Sequence, residues 1–238
     1  MIIGSGLLAT AFRPFYRNRP DVCVYAAGVS NSGCTNPDEY AREKDRLDAS
    51  LALAKDKNVF VYLSTCSIAD DEIRSTPYVL HKLAMEERVR THPQHLIVRL
   101  PQVAGRTPNP HTLLNYLYAR ISRSESFCLW HNARRNILDV EDVARITDQL
   151  IANPAIRAIT LNVANEKSYS MMEIVSAMEK AVGKHAIYER SDARGKSDPY
   201  LSIDISPILG VLDAARVHFG DNYLQEVIDK YYGQGLAR

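Results

Sequence analysis

At 238 residues, with 46% hydrophobic and 24% charged side chains, the chain has the make-up of one globular domain or a domain with a modest appendage. Lys and Arg total 29 against 28 Asp and Glu, so no overall field favours nucleic acid or an anionic membrane surface. No apolar run approaches the length of a bilayer span, no charged-then-apolar segment opens the chain, and Cys23, Cys34, Cys66 and Cys128 show no Cys-x-x-Cys spacing; a soluble cytoplasmic protein with reduced thiols is expected.

Met1-Ile-Ile-Gly-Ser-Gly-Leu-Leu-Ala reads as a very short strand, a glycine turn and an apolar helix start. Gly4-x-Gly6-x-x-Ala9 fits the dinucleotide pattern: Gly4 for the tight turn, Gly6 for close approach of a pyrophosphate, Ala9 for helix against sheet. Free N–H groups at the helix start suit phosphates. A strand, turn and helix with small residues explains the same segment equally well. The basic residues Arg13, Arg17 and Arg19 follow, then a second buried strand, Asp21-Val-Cys-Val-Tyr-Ala-Ala-Gly28. Asp21 precedes its strand, so it is not assigned the ribose-binding role of the acidic residue that ends the next strand in a full dinucleotide unit.

A helix is predicted from Asp38 to about Asp56, with Tyr40, Leu47, Leu51 and Ala54 on its apolar face and its charges on a solvated one. Asn58-Val-Phe-Val-Tyr-Leu-Ser-Thr then has the unbroken apolar character of a buried parallel strand and ends in hydroxyls, where open α/β sheets collect ligands. Pro77 starts a helix that puts Tyr78 and Lys82 at i,i+4 spacing and runs to Thr91. A phenol beside an ammonium is suited to proton transfer, since a nearby positive charge favours a phenolate. The spacing alone also fits a surface helix with an aromatic under a lysine stem.

His95 to Pro101 reads as another buried strand, with Gln102-Val-Ala-Gly105 capping it. Helices are predicted over 111–123, over 168–183 with Gly183 as the stop, and over most of 212–232, and the Arg134–Asp142 segment leads into another that runs through about Ala152. Short strands are predicted at 127–130 and 158–163, with a possible one at 200–204. Strands alternating with helices argue for a parallel α/β sheet.

In this order the parts resemble the extended short-chain dehydrogenase/reductase family, the NAD-dependent epimerase/dehydratase group that modifies nucleotide sugars. The likeness covers nearly the whole chain. It rests on the glycine turn, Tyr25-Ala-Ala-Gly28, Leu63-Ser-Thr-Cys-Ser67, the Tyr78/Lys82 pair, Val98-Arg-Leu-Pro-Gln-Val-Ala-Gly105, Arg135-Asn-Ile-Leu-Asp-Val-Glu-Asp142 and Leu161-Asn-Val-Ala-Asn165. The resemblance implies a single Rossmann-like domain over 1–238 with helices on both faces of a parallel sheet. A small substrate lobe would come mainly from 165–238 plus the 102–135 insertion. It implies Thr65, Tyr78 and Lys82 as catalytic residues. A nicotinamide coenzyme would meet Gly4, Ser5, Gly6, Leu7 and Leu8 at the turn and Ala26, Ala27 and Gly28 along the double-alanine strand. Ser64, Leu100, Pro101 and Val103 would flank the nicotinamide, with Tyr78 and Lys82. Gln102, Arg135, Arg194 and Asp198 would hold the nucleotide sugar, although an Arg–Asp pair in a loop is as readily a surface ion pair. Pairing of the Asp38 and Tyr78 helices across a two-fold axis implies a homodimer.

Two departures stand out. The family places two further strands between the glycine turn and the double alanine, and this chain lacks them, which removes the segment that cradles adenosine. Cys66-Ser67 stand where the family's dehydratases carry Asp-Glu, which argues against 4,6-dehydration. A reductase with exchangeable coenzyme is therefore expected over an epimerase that retains NAD. NADP(H) is slightly favoured because Arg13 or Arg17 could meet a 2′-phosphate. A non-catalytic coenzyme-binding sensor is the alternative from another class, and Gly28-Val-Ser-Asn-Ser32 lacks the last glycine of a hydrolase elbow. The histidines show no His-Glu-x-x-His, so no metal is assigned.

Overall fold

A computed structural model describes residues 1–16, 18–70, 73–191 and 202–233. Strand β1 (Ile2–Ile3) leads through the glycine turn into helix α1 (Leu7–Tyr16), and strand β2 (Val22–Tyr25) is buried at every position. Helix α2 (Pro37–Leu53) begins where local chemistry allows. The Asn36 side chain accepts the Asp38 N–H, Pro37 fills the first turn, and Asp38 and Glu39 face the positive end of the helix dipole. All seven residues of strand β3 (Val59–Thr65) are buried. Helix α3 (Pro77–Val89) is capped by the Thr76 hydroxyl and started by Pro77, and strand β4 (His95–Leu100) follows.

Past Pro101 come strand β5 (Gln102–Ala104), helix α4 (Leu113–Ser122), and strands β6 (Phe127–Trp130) and β7 (Arg134–Asp139). Then follow helix α5 (Val140–Ala152), strand β8 (Ile159–Asn162), strand β9 (Ser168–Ser170) and helix α6 (Met171–Val182). Strand β10 (Tyr188–Ser191) precedes helices α7 (Leu209–Ala215) and α8 (Tyr223–Tyr232). The capping box of Ser170 with Glu173 sets the start of α6, and Gly183, at φ 73°, ends it.

Several boundaries differ from expectation. Residues 134–139, read only as a lead-in to a helix, form a strand that runs straight into α5, and 168–170 pair with it before α6 begins. Residues 202–204 are not a strand, and the rest of the predicted 200–204 strand lies outside the described residues. The stretch 212–232, expected to be mostly helical, falls in two helices, the first ending where Arg216 takes a left-handed φ of 55°.

The chain forms two compact units. The first comprises Met1–Pro101, Val140–Val163 and Ile203–Val217; the second Gln102–Asp139, Ala164–Ser202 and His218–Arg238. The first unit carries a five-stranded, wholly parallel sheet in the order β1-β2-β3-β4-β8. Helices α2 and α3 cover one face over a core of Tyr25, Leu47, Phe60, Tyr62, Met85, Val89 and Ile97. Helices α1 and α5 pack together on the other, where the Tyr16 hydroxyl donates to Asp148 at 2.6 Å. In the second unit β7 lies between β5 and antiparallel β9, β6 pairs with β10, and α6 packs between α4 and α8.

The sheet order carries the main architectural fact. In a doubly wound dinucleotide fold the first strand is central, flanked on its far side by the strands of the adenosine half. Among the described residues β1 is instead the edge strand, and its one neighbour is β2. Among these residues no helix is long and apolar enough to cross a membrane.

Candidate active site

The carboxyl ends of β1, β2, β3 and β4 bring most of the predicted residues into the first unit. At the end of β1, Gly4 has φ 126°, and a Cβ there would lie 2.4 Å from the Ala26 carbonyl oxygen. Only glycine allows this crossing of backbone over the end of β2, which the Ala26 N–H ties to the Ile3 carbonyl at 2.8 Å. Ser5 and Gly6 are exposed, and a Cβ at Gly6 would meet nothing within 4 Å. Leu7 and Leu8 open α1 half-buried, Ala9 is fully buried, and the first-turn N–H groups lack intrahelical acceptors.

Thr65 ends β3 in register with Leu100 of β4, so these two residues and Pro101 share one sheet end. The Thr65 hydroxyl accepts the Ser67 N–H at 3.1 Å and caps the short turn over Cys66–Ala69. Burial pushes the Cys66 thiol up to about 12, which leaves it an inert core group. Ser64 points the opposite way, as strand alternation requires, and donates to Glu86 at 2.7 Å. Arg99 grips the same buried carboxylate through two bonds of 2.9 and 2.7 Å, and Arg90 adds one at 3.3 Å.

Tyr78 and Lys82 lie one turn apart on α3, both buried, with the Lys82 ammonium 5.9 Å from the Tyr78 ring centre. Sequence reasoning missed what holds that ammonium. Lys82 Nζ donates to Glu43 Oε1 at 3.0 Å and to the Tyr62 hydroxyl at 3.2 Å, while Tyr62 donates to the same Oε1 at 2.8 Å. Glu43 Oε2 receives the Val29 N–H at 2.6 Å and lies 3.0 Å from His81 Nε2, whose ring sits 4.5 Å from that of Tyr40. Burial alone pushes the Glu43 carboxyl up; the Lys82 charge, with hydrogen bonds from His81, Val29 and Lys82, holds it down at about 2. The Tyr62 phenol is raised far above its usual range by burial and the Glu43 charge, so it stays a neutral donor.

The expectation that the charges of α2 form a solvated face fails at Glu43, whose side chain is 1% exposed. The signal was present. Tyr40, Glu43, Leu47, Leu51 and Ala54 recur at steps of three and four, so Glu43 stands within the apolar stripe. Gly28 closes over the pair: a Cβ there would lie 2.4 Å from Lys82 Nζ and 2.9 Å from Glu43 Oε1.

The remaining predicted residues lie elsewhere. Gln102 and Val103 are in β5 of the second unit, in register with Ile137 and Leu138. Arg135, in β7, stands opposite Tyr169 and donates to the Arg134 carbonyl at 2.7 Å. Arg194 and Asp198 lie outside the described residues. Among those described, no group of three or more His, Cys, Asp or Glu could hold a metal ion.

A family model described as the NAD dependent epimerase/dehydratase family matches residues 8–164. No curated protein matches the chain. Among solved structures, RMD from Pseudomonas aeruginosa complexed with NADPH superposes with a TM-score of 0.67 at 14% identity, over 94% of this chain and 84% of that one. UDP-glucuronic acid 4-epimerase from Bacillus cereus, in complex with UDP-glucuronic acid and NAD, gives 0.67 at 18% identity, over 87% and 76%. dTDP-glucose 4,6-dehydratase from Bacillus anthracis, in complex with NAD, gives 0.68 at 16% identity, over 91% and 73%.

Proposed function

Since the chain belongs to the NAD dependent epimerase/dehydratase family, we propose that it is a reductase of a keto-sugar nucleotide that uses an exchangeable nicotinamide coenzyme. The observation that carries the choice of reductase is the edge position of β1. Much of the grip on a dinucleotide comes from the adenosine half, through a ribose carboxylate and adenine pocket built by strands beyond β1. An epimerase returns hydride to the same sugar and must keep its coenzyme through the cycle. A reductase releases it each turnover, and a shortened adenosine half suits release. Cys66-Ser67 after Thr65 supply no acid–base pair for expelling water, so dehydration is disfavoured.

The residues present fit the pyrophosphate and nicotinamide parts of a coenzyme. Gly4 and Gly28 let the backbone pass close over Ala26 and over Lys82, where a Cβ would collide, Gly6 faces open space, and Lys82 keeps one N–H beyond those given to Glu43 and Tyr62. The coenzyme supplies hydride when bound. The chain's own groups do the rest. Tyr78 gives the proton to the sugar oxygen, Thr65 hydrogen-bonds that oxygen, and Lys82 reaches the nicotinamide ribose. Arg135, with Arg194 and Asp198, holds the nucleotide, arginine being suited to bidentate phosphate contact. The similar proteins that carry NAD, NADPH or UDP-glucuronic acid support this class of ligands. NADPH is the preferred coenzyme in this reading, with exposed Arg13 available to a 2′-phosphate. The exposed Leu53 on α2 and Leu80 on α3 support assembly as a homodimer, which the mass in solution tests.

Denaturing the purified protein and assaying the released small molecules tests the choice. No bound coenzyme, together with NADPH consumption on keto-sugar nucleotides, is expected. Stoichiometric NAD carried through purification overturns the reductase and restores the epimerase.

A further inference from the structure

Resting on the coenzyme reading above, we propose that Glu43 is a positioning residue acting through Lys82: its carboxylate holds the ammonium beneath Gly28 so that one N–H is left for the coenzyme ribose. A lysine ammonium has three N–H donors on a flexible four-carbon stem, and fixing it costs rotamer freedom. Here two donors are fixed from two elements, at 3.0 Å to Glu43 of α2 and 3.2 Å to Tyr62 of β3. Tyr62 closes the triangle onto Glu43 at 2.8 Å. The other carboxylate oxygen accepts the Val29 N–H just past Gly28 at 2.6 Å and lies 3.0 Å from His81 Nε2 of α3, so both oxygens have close polar neighbours.

Stability alone is a weak reason for this arrangement, because a buried ion pair is commonly no better than well-packed apolar side chains. The glycine adds the second reason. Gly28 gives up a side chain where a Cβ would strike Nζ at 2.4 Å, on the loop that follows the double alanine. Two independent features, a buried carboxylate and an absent Cβ, thus converge on the location of one nitrogen atom.

The test is a fluorescence titration of the purified full chain with NADH and NADPH, comparing Glu43→Gln, Lys82→Met and the double variant. Each single change is expected to weaken binding roughly tenfold, the loss of about one hydrogen bond to a charged group. The double variant should bind no worse than the weaker single one, because Glu43 acts only through the lysine. A carboxylate that merely supports the fold would lower the melting temperature and leave the affinity of the folded protein unchanged. Parent-like affinity in Glu43→Gln, or losses that multiply in the double variant, overturn the inference alone. Parent-like affinity in Lys82→Met overturns the coenzyme reading and this inference with it. Should Glu43→Gln fail to fold, Tyr62→Phe replaces it: it must weaken binding, and must do so only while Lys82 is present.

Discussion

Gly28 and Lys82 compete for the same space, since a Cβ at position 28 would stand 2.4 Å from the lysine nitrogen. Gly28→Ala must therefore push the ammonium off Glu43 or lift the loop. Overpacking of this kind costs about 1–3 kcal/mol. The variant should stay folded, melt a few degrees lower and lose coenzyme affinity by more than its lowered stability explains. Thermal melts and a coenzyme titration on the same sample check this, and unchanged affinity would show that Nζ does not face the coenzyme.

Tyr78→Phe should lower turnover by roughly 10²–10⁴-fold, the usual contribution of a positioned proton donor. The phenyl ring still fills its buried place on α3, so melting temperature and coenzyme binding should hold. Steady-state rates on the identified sugar nucleotide decide it; full turnover in the variant assigns the proton to another group.

Glu43 makes stability depend on pH in a defined direction. Its carboxyl sits at about 2 in the folded chain against 4.5 as the ordinary value, so the folded state binds fewer protons across that interval. The stabilisation is fully present above 4.5 and is lost as pH falls toward 2. Urea unfolding of the parent and Glu43→Gln should differ most near neutrality and converge in acid. A gap that stays constant down to the acid limit would mean that Glu43 carries no such linkage.

The second buried carboxylate allows a contrast of magnitudes. Glu86 is fully buried and shared by Ser64, Arg90 and Arg99, so Glu86→Ala leaves Arg99 without its partner and should cost about 3–5 kcal/mol. The bond of Arg88 to Asp48, both about two-fifths exposed, looks comparable at 2.8 Å but lies in solvent. Arg88→Ala should cost no more than about 1 kcal/mol. Denaturant midpoints of the two variants measure the difference.

Much of the fold was legible because its signals are local. The apolar run at β3, the Asn36-Pro37 and Pro77 helix starts, and the Gly183 stop each act within a few residues, and each formed the element or boundary it announces. The short strands β5, β7, β9 and β10 were missed or read differently because three to six residues carry little periodicity. Such strands are set by the partner they pair with, as Arg135 is by Tyr169.

The order of motifs along the chain was enough to mark the family, the missing adenosine strands and the Tyr78/Lys82 turn, because those are facts of spacing. What a charge meets on the buried side of a helix was decided only by tertiary structure. Glu43 reads as one more acid on a charged helix until α2 packs on α3 and β3. Only then do Lys82, Tyr62, His81 and the Val29 N–H, up to 39 residues away along the chain, surround it. Burial removes water from both charges at once, so each must find the other. That requirement belongs to the assembled core: the apolar stripe of α2 places Glu43 on the inward side, but neither segment alone names the partner.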